Sequence, residues 1–151
     1  AQTQTLELPK TAMAVTIDIG NADDIHPRNK KDVGDRLWLA ARKVSYGDEV
    51  VYSGPSFKSA TRDGGKILVS FDHIGSGLHS KGSVLGFALA GKDEVWYWAE
   101  ATIENDQIVL RSDKVSDPVW VSYALGDNPK ATLYNEEGLP AVPFKEEISA
   151  Q

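Results

Sequence analysis

Val95-Trp96-Tyr97-Trp98-Ala99-Glu100-Ala101-Thr102-Ile103-Glu104 is the stretch that decides the fold class of this chain. Its period is two. Val95, Tyr97, Ala99, Ala101 and Ile103 fall on one side of an extended backbone, and Trp96, Trp98, Glu100, Thr102 and Glu104 on the other. Alternation of this kind, rich in aromatic and β-branched residues, marks a strand with one buried face. Outward from it, Ile67, Val69 and Phe71 repeat the pattern, as do Val119, Val121 and Tyr123. Turn-forming groups separate the runs: Asp63-Gly64-Gly65, Gly91-Lys92-Asp93, Asn105-Asp106 and Asp127-Asn128-Pro129. Short strands at roughly 8–12-residue spacing predict an antiparallel β-sandwich. We place it at residues 48–151.

Residues 1–47 follow another rule. Met13-Ala14-Val15-Thr16-Ile17-Asp18-Ile19 suits a buried strand, and Gly20-Asn21-Ala22-Asp23-Asp24 breaks it. Pro27 fits a first helical position. Val33, Leu37, Ala40 and Val44 then form one apolar stripe at helical spacing, which Gly47 can end. A single strand and helix cannot bury both faces of a sheet alone. This front segment therefore resembles the last piece of an α/β sheet, and a chain that begins at Ala1 without Met is expected to be part of a longer one. A strand with unpaired edges is a template for a second chain, so we expect a homodimer through it or a rearranged front segment.

Composition excludes several functions. Sixteen Lys and Arg against 22 Asp and Glu leave a formal charge of −6, the wrong sign for nucleic acid or an anionic membrane surface. No apolar run approaches the roughly 18–20 residues of a membrane span. The absence of cysteine removes disulfides, thiolate metal sites and a cysteine nucleophile.

The densest group with chemical potential is Asn21-Ala22-Asp23-Asp24-Ile25-His26-Pro27. A histidine beyond the carboxyl end of an α/β strand can serve as general base, with a neighbouring carboxylate orienting its ring. The alternative is that Asp24 or His26 simply caps the following helix. Trp96, Trp98 and Trp120 allow two readings as well, a sugar-stacking face or a core or interdomain contact. His73 and His79 lie in a glycine-rich loop without a firm third ligand, which favours a surface loop over a metal site. Gly75-Ser76-Gly77 is a turn after a strand and lacks the pattern of a nucleophile elbow.

Thr16-Ile17-Asp18-Ile19-Gly20 followed by Asp24-Ile25-His26-Pro27-Arg28-Asn29-Lys30 resembles the last catalytic block of the sialate O-acetylesterase family, whose members are SGNH-type hydrolases. Tyr52-Ser53-Gly54-Pro55, the segment from Ser70 to Leu78, Asp127-Asn128-Pro129 and the run from Leu133 to Phe144 are similar to later segments of that family, in the same order. The resemblance implies a flavodoxin-like α/β domain with a Ser–His–Asp arrangement, ahead of a β-sandwich. It matches His26 to the catalytic histidine. The superfamily spacing Asp-x-x-His selects Asp23 as the orienting carboxylate, while the Asp-Ile-His form favours Asp24. Neither the Gly-Asp-Ser-like nucleophile block nor the oxyanion-hole residues are present. The resemblance thus implies a C-terminal portion, inactive alone, whose partners are the missing N-terminal part and an O-acetylated sugar. It implies no metal or organic cofactor and a periplasmic or secreted setting. The alternative is a non-catalytic carbohydrate-binding or structural β-sandwich.

Overall fold

The computed structural model describes residues 2–149. The chain is mainly β, with ten strands and one α-helix among those residues. Strands β1 (Ser56–Asp63), β2 (Lys66–Asp72), β6 (Glu100–Glu104) and β7 (Gln107–Arg111) form a first antiparallel sheet in the order β1-β2-β7-β6. Strands β4 (Phe87–Ala90), β5 (Trp96–Trp98), β8 (Trp120–Tyr123) and β10 (Phe144–Glu147) form a second, ordered β10-β8-β4-β5. The pair β3 (Leu78–Ser80) and β9 (Leu133–Asn135) makes a small third sheet.

The two larger sheets pack face to face, as the alternation requires. Ala60, Ile67, Val69, Phe71, Ile108 and Leu110 from the first meet Phe87, Leu89, Val121, Tyr123 and Phe144 from the second in one core. The expected sandwich is present. The run at 95–104, expected as a single strand, is two strands in different sheets. Ala99 still donates its N–H to the Phe87 carbonyl (3.1 Å), and Glu100 already pairs with Arg111. A strand that turns a corner between packed sheets keeps its side-chain alternation, so sequence period alone does not reveal the corner.

The front segment differs more. Residues 11–16 have no regular structure and 17–19 form a turn, with Ile19 N–H on the Thr16 carbonyl at 3.3 Å. The expected strand at Met13–Ile19 is absent: the segment pairs with none of the strands among the described residues. The segment is held by a side chain instead. Arg36 donates to both carboxylate oxygens of Asp18 (2.6 and 2.8 Å) and to the Val15 carbonyl (2.6 Å). Ile17 packs against the sandwich core.

Helix α1 spans Lys31–Ala41 and starts four residues after Pro27, where we expected it. Asn29 explains the later start. Its Oδ1 accepts the Asp32 N–H (3.2 Å) while its amide donates to the Asp32 carboxylate (2.8 Å), a reciprocal cap. A single π-type turn, Arg42–Tyr46, continues the helix to Gly47, whose φ of 75° terminates it as expected. Ion pairs Arg42–Asp48 (2.7 Å) and Lys43–Glu49 (3.1 Å) fasten this turn to the chain leading into the sandwich. Arg36 and Ala40 are buried, whereas Leu37 and Trp38 are exposed. No helix among the described residues is long and apolar enough to cross a membrane.

Candidate active-site loop

The loop between the front segment and α1 is built from two side-chain turns. Asn21 Oδ1 accepts the Asp23 N–H at 3.0 Å, and Asp24 Oδ1 accepts the His26 N–H at 2.8 Å. These are the local bonds that Asn and Asp offer a backbone leaving regular structure. Asp24 therefore does not cap the helix; it fixes the main chain at His26. Asp23, Asp24 and His26 are all exposed. Among the described residues no side chain bonds to the His26 imidazole, and neither carboxylate is paired with it. What the loop presents is a solvent-facing ring on an anchored backbone, with the Asp23 carboxylate three positions before it.

The base of this loop is the Asp18–Arg36 pair, with side chains only 9–10 % exposed. Burial alone would raise the Asp18 carboxyl, but the hydrogen bonds and charge of Arg36 outweigh it and hold Asp18 below the usual carboxylate value. The neighbouring Tyr134 phenol is pushed up, first by burial and then by the Asp18 charge. Sequence reasoning missed this pair. Its signal was a carboxylate inside an apolar run, which requires a buried partner.

Gly20, Asn21 and Ala22 form one wall of an open cleft of about 1000 Å³. The opposite wall is the segment 124–132, which includes Asp127-Asn128-Pro129. Tyr134 and Pro143 line it too, so the fold brings three of the segments singled out by resemblance to the same cleft. Other residues of the resembling segments serve structure. Asn135 is fully buried, donating to the Ser53 carbonyl (3.1 Å) and accepting the Leu139 N–H (2.9 Å). A Cβ on Gly54 would lie 2.1 Å from the Pro140 carbonyl oxygen, so only glycine fits there. Ser76 donates both Oγ–H (2.6 Å) and N–H (3.0 Å) to Glu137, and the Ser76 hydroxyl above all holds that carboxylate below its usual range.

The remaining histidines are held at the surface. His73 Nδ1 shares a hydrogen bond with Ser56 Oγ at 2.9 Å, across the paired ends of β1 and β2, and its ring meets Tyr52 edge-on. His79 faces Glu136 at 3.8 Å. Among the described residues no three His, Cys, Asp or Glu side chains converge as metal ligands.

Fold and sequence comparison point the same way: the chain is similar to carbohydrate and sialate O-acetylesterases. Its structure superposes on a carbohydrate acetylesterase from Xanthomonas citri with a TM-score of 0.92 and 51 % identity, over 96 % of this chain and 34 % of that one. In sequence it is 44 % identical to the sialate O-acetylesterase of Mus musculus and 41 % to that of Homo sapiens, each over 54 residues, 32 % of this chain and 10 % of the relative. The recognition of this kinship from the motifs is borne out. The chain spans about a third of the solved acetylesterase and a tenth of the curated relatives. No protein-family model matches it.

Proposed function

We propose that this chain is the C-terminal portion of a carbohydrate O-acetylesterase of SGNH type, in which residues 1–47 supply the catalytic histidine loop and 48–151 form a β-sandwich. The observation that carries the proposal is the 51 % identity to a carbohydrate acetylesterase across 96 % of the chain. The exposed His26 ring on an anchored backbone is consistent with it. So is the bare apolar surface beside the loop: Ile25 is 91 % exposed, Tyr46 69 %, Trp38 55 % and Leu37 54 %. An exposed group of that size suits a face that the absent α/β portion covers.

The chemistry follows from the groups this chain contributes. A serine of the upstream portion attacks the acetyl carbonyl carbon, and His26 accepts the hydroxyl proton and returns it to the departing sugar oxygen. Water, deprotonated by the same imidazole, then releases acetate from the acyl-serine. Asp23 is the better orienting carboxylate. Among the described residues its carboxylate carries no other bond, while Asp24 Oδ1 is committed to the His26 main chain. The substrates are O-acetyl esters of sialic acid or related sugars, which belong to a periplasmic or secreted setting. No step in this sequence calls for a metal or organic cofactor.

Acetate release from an O-acetylated sugar tests the proposal. The chain rejoined to its upstream portion should hydrolyse the ester, and the 151-residue chain alone should not. His26→Ala in the rejoined protein should lower kcat about 10⁶-fold, the scale for loss of a triad histidine. Undiminished hydrolysis by that variant would contradict the assignment. Asp23→Asn should lower kcat more than Asp24→Asn, and the reverse order would transfer the orienting role.

A further inference from the structure

The outer face of the second sheet carries three indoles that the core does not use. Register sets Trp98, Ala88, Ser122 and Lys145 side by side across β5, β4, β8 and β10. The next row on the same face is Trp96, Ala90, Trp120 and Glu147. Ala88, Ala90 and Ser122 are buried and small, so they form a floor between walls of larger side chains. A trough of about 390 Å³ lies on this face, lined by Ala88, Ser122, Lys145, Trp96 and Trp98, with Trp120 beyond Lys145. Lys145 Nζ lies 5.5 Å from the Trp96 ring and 5.0 Å from the Trp120 ring, and pairs with Glu94 at 2.9 Å. Trp98 is different. It is 76 % exposed and has no aromatic or cationic ring partner among the described residues.

The mixture of groups selects a ligand class. A pyranose ring has a patch of C–H bonds on its face and hydroxyls around its rim. A bare indole flanked by a hydroxyl, an ammonium and a carboxylate meets both requirements. An apolar protein segment laid on the same face would take the Glu147 carboxylate and the Lys145–Glu94 pair out of water without new polar partners. The trough is also continuous with the cleft described above. It shares Gly86, Trp98 and Leu125 with a neighbouring cavity of about 460 Å³. That cavity shares Leu85 and the segment 124–130 with the cleft that reaches Asn21 and Ala22. A ligand of several linked rings matches this track better than a single sugar.

We propose that the Trp96–Trp98–Trp120 face binds a glycan chain, stacking one pyranose on Trp98 and leading the chain past Leu125 toward the cleft at Asn21 and Ala22. The site does not depend on His26 being catalytic. Binding is read by tryptophan fluorescence titration of the 151-residue chain with cellohexaose, a neutral chain, and with polysialic acid, an acidic one. Saturable binding of at least one is expected, weakened at least tenfold by Trp98→Ala, partly retained by Trp98→Phe, and unchanged by Trp38→Ala on the distant helix. Which probe binds identifies the glycan as neutral or sialylated. Binding of neither, or binding that survives Trp98→Ala, overturns the proposal, with circular dichroism confirming that the variant is folded. Because no ester is cleaved in this assay, its failure is separate from failure of the esterase assignment.

Discussion

At the residue scale, the front of the molecule depends on one buried ion pair. Removing one partner of such a pair leaves a charge without compensation, so Asp18→Asn should lower stability to urea by about 3 kcal/mol at pH 7. The carboxyl of Asp18 is held below its usual value of 3.8. Its contribution is therefore complete above that value and lost as the pH falls through the lower, folded one. The gap between wild type and Asp18→Asn should accordingly shrink below pH 3.8; a gap that stays constant from pH 7 to pH 2 would contradict the clamp. Asn135 offers a second test. Asn135→Ala strands the Ser53 carbonyl and the Leu139 N–H in the interior, and should cost about 2–4 kcal/mol in the same titration. That Asp23, Asp24 and His26 share one exposed loop was legible in the sequence, because turn-forming residues surround them. Which carboxylate was free was not legible, since that depends on an Asx turn of a few ångströms.

At the element scale, the sequence reading succeeded where a period persisted within one sheet. Strands β2 and β8 lie where the alternation put them, and Asn105-Asp106 turns β6 into β7 with both residues at positive φ (51° and 58°). It failed where a neighbour decided the outcome. Met13–Ile19 has strand composition, but a strand needs an edge to pair with, and Arg36 supplies the segment's anchor instead. Ala99 carries the chain from one sheet to the other without any interruption of the pattern. The connection from Tyr52 to Pro55 shows how a loop motif can be purely steric. Gly54→Ala would drive a methyl group into the Pro140 carbonyl, and should lower the thermal midpoint as a destabilisation of about 2–3 kcal/mol. A variant with an unchanged midpoint would show that the loop can move away.

At the scale of the whole molecule, the chain is a sandwich with its own core and a front segment that leaves Ile25, Leu37, Trp38 and Tyr46 in solvent. The core explains why the sandwich was legible: the larger strands present an apolar face inward. The exposed residues are not explained by this chain alone. If, as proposed, an upstream portion covers them, Trp38→Glu should leave the stability of the 151-residue chain within about 0.5 kcal/mol while impairing its association with that portion. Equal association of wild type and variant, read by sedimentation, would place the contact elsewhere. The most direct measurement is a crystal structure of the chain joined to the upstream portion proposed for it. The account predicts a serine hydroxyl from that portion within about 2.6–3.2 Å of the free imidazole nitrogen of His26. A His26 ring still facing solvent, with the reactive serine paired to another base, would contradict it.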